Sequence, residues 1–186
     1  MKHALATAAS AVTLTACAAM GSSASLAPEP AKPVNATLFT GLWHEVARSP
    51  EAITKDCVAG QTRFFRDNRN RLIDRDSCRK GGLRGEEKVF SGPVTFLDDK
   101  TKAKFRVDYE MFGPIKVTRE YWILDHGTDW FIVSSPNLEN LAIFTRGPQL
   151  SRGKMLDLLR RARAFGYDTA KLEYPPQPPV GRPARV

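Results

Sequence analysis

Between positions 102 and 111 apolar and polar side chains alternate: Phe105, Val107, Tyr109 and Met111 share one parity, Lys104, Arg106, Asp108 and Glu110 the other. A period of two belongs to a strand with one face buried and one in water, and a helix cannot satisfy it. Seven more short apolar runs occur at 43–49, 58–66, 72–78, 86–97, 117–125, 130–134 and 141–146. Turn-forming residues separate them. Asp67-Asn68-Arg69-Asn70 marks a hairpin, Lys80-Gly81-Gly82 and Gly113-Pro114 break the chain, and Gly92-Pro93 implies a kink or bulge inside a strand. Eight short strands with hairpin-length links restrict the chain to an all-β sandwich or an up-and-down barrel.

One helix follows the strands. Ser151 is its expected N-cap, Met155, Leu158, Leu159, Ala162 and Phe165 form an apolar stripe at helical spacing, and Gly166 closes it. A stripe of this kind is packing surface. Residues 171–174 are expected to add a short final strand.

The chain has 186 residues, room for one domain with tails, and a net charge of +8. The basic residues are scattered along strands rather than gathered, which describes a solvated exterior better than a nucleic-acid footprint. At the N-terminus, Lys2 and His3 precede an apolar run from Ala4 to Ala16 that is too short to span a bilayer as a helix. Leu14-Thr15-Ala16-Cys17 resembles the bacterial lipobox, which implies a lipoprotein signal peptide at 1–16 and acylation of Cys17. Ordinary signal cleavage near Ala16 or Ala18 is the alternative. Residues 17–37 read as the lipidated cysteine and a flexible tether, 38–175 as the folded domain, and 176–186 as a proline-rich disordered tail.

With Cys17 set aside, Cys57 and Cys78 remain, and an exported protein is expected to pair them. A turn centred between Asp67 and Asn68 places both at equal distance from it, opposite each other across the hairpin and within disulfide reach. A metal site is the alternative, but it needs two more soft or imidazole ligands, and no histidine lies near in sequence.

Three segments now carry a family resemblance. Gly41-Leu42-Trp43-His44-Glu45-Val46-Ala47-Arg48 resembles the opening strand of bacterial lipocalins of the apolipoprotein D-like branch. Phe112-Gly113-Pro114 with Tyr121-Trp122-Ile123-Leu124-Asp125 resembles the family's middle segment, and Leu141-Ala142-Ile143-Phe144-Thr145-Arg146 its last strand. The resemblance implies an eight-stranded antiparallel up-and-down barrel with one C-terminal helix packed outside. It implies that Trp43 and Arg146 meet at the closed end as structural residues, in a cation–π contact worth about 1 kcal/mol. The first strand then runs from this floor to a mouth near Pro50. The mouth is ringed by loops at 51–56, 79–85, 112–116 and 136–140, with the cysteine pair on its rim and Phe112 and Ile115 at the entrance.

Strand parity gives the candidate ligand contacts. Glu45 and Ala47 follow Trp43 inward, Ala142 and Phe144 follow Arg146, and Phe105, Val107, Tyr109 and Met111 form the inward face of their strand. Tyr121 and Ile123 share a face whose direction parity leaves open. Two departures from the family pattern stand out. His44 replaces a usual Tyr at an outward position, and Ala142 stands where relatives often carry Trp, which should widen the cavity.

The function this implies is binding of a small apolar or amphiphilic ligand, a fatty acid or lysophospholipid, in the cell envelope at the outer membrane. No cofactor, metal or nucleic acid is expected. A ligand-free envelope scaffold is the alternative. Catalysis through Glu45 ranks lower, since the chain lacks Gly-x-Ser-x-Gly and His-Glu-x-x-His motifs.

Overall fold

The computed structural model describes residues 26–112 and 115–179, apart from the side chains at 111–115. The expected signal peptide, Cys17 and the side chains of Met111, Phe112 and Ile115 therefore lie outside what is described.

Eight antiparallel strands close into a barrel in sequence order: β1 (Gly41–Arg48), β2 (Cys57–Arg66), β3 (Leu72–Lys80), β4 (Glu87–Phe96), β5 (Lys104–Phe112), β6 (Ile115–His126), β7 (Trp130–Ser134) and β8 (Leu141–Thr145). Closure through the β1–β8 pairing leaves no free sheet edge. The helix α1 (Arg152–Ala164) lies outside. Its cap is the expected one, with the Ser151 side chain accepting from the Lys154 amide. At the other end Gly166 has φ +89°, its amide donates to Arg163, and the Tyr167 amide donates to Ala162, the paired bonds of a left-handed helix stop.

Two apolar cores result. The outer one lies between barrel wall and helix and joins Val46, Ala47, Ile132, Leu141 and Ile143 to Leu158, Leu159 and Ala162. The inner one fills the lower barrel with Trp43, Phe64, Phe105, Val107, Ile123, Phe131 and Val133. A short 3-10 turn, Ala36–Phe39, plugs the floor. There Phe39 meets the edges or faces of Phe64, Phe96 and Phe105 at centroid distances of 4.9–5.6 Å.

The segments expected to be loose are docked where they are described. Ala27 and Val34 are buried, and their amides donate to the carbonyls of Pro136 and Thr101. Residues 26–37 thus run along the barrel rather than forming a free tether. Backbone bonds supply the attachment that the sparse apolar residues do not. Likewise Pro176 accepts from the Ala59 amide, and Gln177 donates through Nε2 to the Glu45 carbonyl. The tail is therefore strapped to β1 and β2 through at least residue 178, whose carbonyl accepts from Gln149. His44 faces outward as expected, between the inward Trp43 and Glu45, but it is covered on that side, with only 9% exposed, and its Nδ1 has no partner among the described residues. In place of a final strand, Glu173 makes a single two-bond bridge to Arg48.

The hairpin carrying the cysteines departs from the expected register. The Asp67 carboxylate accepts from the amides of both Arg69 and Arg71, which draws 67–71 into a wider turn and pairs Arg66 with Leu72. A bulge between Val58 and Gln61, where Ala59 has φ +51°, takes back one residue. Cys57 therefore faces Lys80, and Cys78 lies two positions along the neighbouring strand. The disulfide forms on this diagonal, with Cα atoms 5.5 Å apart. In β4 the Gly92-Pro93 pair inserts no extra residue, so the bulge among the two expected irregularities does not form. A Cβ on Gly92 would lie 2.3 Å from the Asp108 carbonyl, so glycine there permits the close approach of β5.

Candidate functional site: a cavity with an acidic wall

The floor is assembled as expected. The Arg146 guanidinium lies 3.5 Å from the Trp43 ring centroid. It also donates to the carbonyls of Thr37, Thr40 and Leu42, while Trp43 Nε1 donates to Leu38. These bonds lock the 3-10 plug against β1. Neither Trp43 nor Arg146 borders the cavity above.

That cavity, about 180 Å3, opens between the loops at 51–54 and 135–140. Phe64, Phe90, Phe105, Phe131, Val133 and Phe144 supply its apolar walls. Of the expected contacts, Glu45, Phe105, Tyr109, Tyr121, Ala142 and Phe144 line it. Val107 and Ile123 point inward but sit in the packed core beneath it. Ala47 does not reach it. β1 bulges between Glu45 and Ala47 against β8, so Val46 and Ala47 both turn outward into the core under α1, and Arg48 turns inward instead. One inserted residue reverses the parity of everything after it.

Arg48 is 4% exposed and is the hub of the upper cavity. Its guanidinium donates to Glu45 Oε2 at 2.8 Å, to Glu173, and to the carbonyls of Thr54 and Cys57. The latter two bonds fold the 51–56 loop over the mouth. Arg119 to Glu51 at 3.2 Å and Lys88 to the Ile53 carbonyl hold the same loop from the opposite side. Burial pushes the Glu45 carboxyl up to about 7 despite the Arg48 guanidinium beside it. Gly60 makes room for that carboxylate, since a Cβ there would fall 2.2 Å from Glu45 Oε2.

Sequence parity missed a second polar group deeper in the barrel. Asp74 and Asp76 are two apart on β3, both line the cavity, and Asp74 is 4% exposed. Thr62 donates to Asp74 through a short hydrogen bond. The Tyr109 hydroxyl lies 2.6 Å from Asp76 Oδ2 and 3.3 Å from Asp74 Oδ2, and Tyr121 lies 3.1 Å from Tyr109. Burial raises both carboxyls, Asp74 well above the carboxylate range, and the charge of Asp76 adds to the shift of Asp74. Burial also raises both tyrosine hydroxyls, so they stay protonated and donate. Among the described residues no group of three or more His, Cys, Asp or Glu is arranged to hold a metal ion.

The arrangement is a chamber open at the mouth, with aromatic and aliphatic walls and buried acids on β1 and β3. Three comparisons with known proteins bear on it. The chain is 28% identical over 153 residues to the outer membrane lipoprotein Blc of Vibrio cholerae, covering 79% of this chain and 86% of the relative. Its fold matches insecticyanin from the tobacco hornworm Manduca sexta with a TM-score of 0.66 at 17% identity, over 80% and 83% of the two chains. It also matches an amine binding protein of Rhodnius prolixus, solved as a tryptamine complex, with a TM-score of 0.62 at 12% identity, over 78% and 83%. The family model described as a lipocalin-like domain covers residues 34–177, and on this evidence together with the barrel itself the chain belongs to the lipocalin family.

Proposed function

We propose that the protein binds one small amphiphile in the barrel and holds it in the cell envelope. The observation that carries this reading is the cavity: an open chamber above a fully packed floor, with aromatic walls for an apolar body and polar groups at fixed positions for a head. A scaffold without a ligand needs no such space, and its interior would be filled by its own side chains. The family typically binds rather than catalyses, and Glu45 is read here as a ligand contact because Arg48 already holds one of its oxygens.

Fatty acids and lysophospholipids are the candidates the family resemblance offers. The cavity is small beside the roughly 300–1,000 Å3 usual for drug-sized ligands, so a long acyl chain would extend through the mouth. The likeness to an outer membrane lipoprotein supports an envelope location. Chain geometry supports a mouth held near the membrane. Ala27 is bonded to Pro136 on a mouth loop, and the ten residues from Cys17 to Ala27 span at most about 36 Å. Acylation of Cys17 would then keep the entrance within reach of released lipid.

Displacement of a bound fluorescent fatty acid by oleate, by lysophosphatidylethanolamine and by lysophosphatidylcholine tests the reading. One-to-one binding at micromolar concentration supports it. Failure of every acyl compound and of neutral apolar probes to bind contradicts it.

A further inference from the structure

The charges inside the cavity are unequal in their availability. Two cations reach its lining, Arg48 and Arg119, and both are spent. Arg48 donates to two carboxylates and two carbonyls, and Arg119 pairs with Glu51 at the mouth. Lys88 of β4 is turned to the Ile53 carbonyl. The acids are different. Asp76 and Asp74 are bonded to hydroxyls, Tyr109 for both and Thr62 for Asp74, and to each other, with no cation among these partners, and Glu45 is bonded at one oxygen. Among the described residues the elements around the pair add no other cation to the lining: β1 contributes Glu45 and Arg48, the mouth loop Glu51, β2 Gln61 and Thr62, β4 Phe90, β5 Tyr109, β6 Arg119, Glu120 and Tyr121, β7 Ser134 with apolar groups, and β8 only apolar groups.

We propose, building on the ligand-binding reading above, that the cavity selects a ligand bearing a protonated amine next to an aromatic or short alkyl body, with Asp76 and Asp74 receiving the ammonium and Glu45 the groups nearer the mouth. An ammonium offers only donors, which these oxygens accept, and its charge offsets theirs where water cannot. Phe90, Phe105 and Phe64 line the same cavity and supply aromatic rings to which a cation is attracted. A carboxylate head at this depth would face three acids and no free donor cation.

Burial and mutual repulsion keep a proton on the aspartate pair when the cavity is empty, because two carboxylates this close do not both ionise. An arriving ammonium replaces that proton as counter-charge. Binding therefore releases close to one proton to solvent, and affinity for the amine rises with pH until the amine itself deprotonates.

Calorimetric titration of the folded chain with three probes that share a phenethyl body, phenethylamine, phenethyl alcohol and hydrocinnamate, tests this at neutral pH alongside the neutral probe N-phenylnaphthylamine. The amine should bind about tenfold or more tighter than the alcohol, and the carboxylate weakest, a preference of at least roughly 1.4 kcal/mol. Repeating the amine titration in buffers of different ionisation enthalpy should reveal the released proton. Asp76→Asn should bring the amine-to-alcohol ratio to about one and abolish proton release. An amine bound no tighter than the alcohol, while N-phenylnaphthylamine still binds, overturns the selectivity and leaves the ligand-binding reading intact. Absence of binding by all four overturns the selectivity, and with failure of the acyl compounds above it overturns the ligand-binding reading as well. The wild-type comparison decides the matter even if the variant does not fold.

Discussion

The two apolar cores share strands yet differ in kind. The outer core, between β-wall and α1, is mainly aliphatic and holds no ionisable acid or base, and Leu158, Ala162, Ile132 and Ile143 are fully buried. The inner core is equally tight at its floor, around Trp43, but a few residues higher it gives way to a cavity walled partly by Glu45, Asp74 and Asp76. Buried carboxylates cost stability, and a void forgoes dispersion contacts. A barrel that needed only to fold would have neither. The difference teaches that the outer core and the floor hold the molecule together so that the upper barrel can be shaped for a ligand.

The largest effects should come from the holding regions. Leu158→Ala removes a fully buried side chain and should lower unfolding free energy by about 2–5 kcal/mol in denaturant titration, without altering ligand affinity. A weakened affinity would show that the two regions are not separable. Replacing Cys57 and Cys78 by serine opens the loop between them and should cost about 3 kcal/mol. Because the bridge also borders the mouth, this change should loosen binding as well. Phe144→Ala, by contrast, faces the cavity and is only half-buried. It should cost about 1–2 kcal/mol of stability, less than a full core truncation, yet reduce affinity for an apolar probe by roughly tenfold.

The smallest effect concerns pH. Glu45 is raised to about 7 in the folded protein, so its contribution to stability is complete below the ordinary glutamate value and is lost as pH rises through about 7. Buried His44 and partly buried His126 are lowered and work in the opposite sense, favouring the folded state as pH rises past their usual value. Glu45→Gln isolates the first term. Between pH ~5 and ~8 the wild type should lose on the order of 1–2 kcal/mol relative to this variant. Parallel stability curves would show that Glu45 does not titrate in that range.

How much could be read from sequence follows the same division. Strand periodicity identified all eight strands, because it is a short-range pattern, and the pairing of Trp43 with the distant Arg146 at the floor came from the family resemblance of the strands that carry them. The upper cavity was legible only in part. Phe105, Tyr109, Ala142 and Phe144 point where parity leads, whereas parity left the direction of Tyr121 open; the extra residue at Val46 exchanges Ala47 for Arg48, and no composition signal marks a bulge in an apolar run. Asp74 and Asp76 were hidden for another reason. Residues 74–77 read Asp-Arg-Asp-Ser, polar on both parities, so hydrophobic alternation could not say which face turned inward. The strong signal there was the unusual density of charge in a strand flanked by apolar ones. The docked segment at 26–37 is invisible to composition because backbone bonds at Ala27 and Val34 fasten it.

The central claim is that the space above the floor is the ligand site. Ala142 lines that space, so Ala142→Trp should fill it without disturbing the outer core. Fluorescence titration of wild type and Ala142→Trp with N-phenylnaphthylamine tests this most directly. Saturable one-to-one binding by the wild type, and its loss in a variant that unfolds at the same or higher temperature, is the predicted result. Equal binding by both proteins would place the ligand elsewhere and contradict the account.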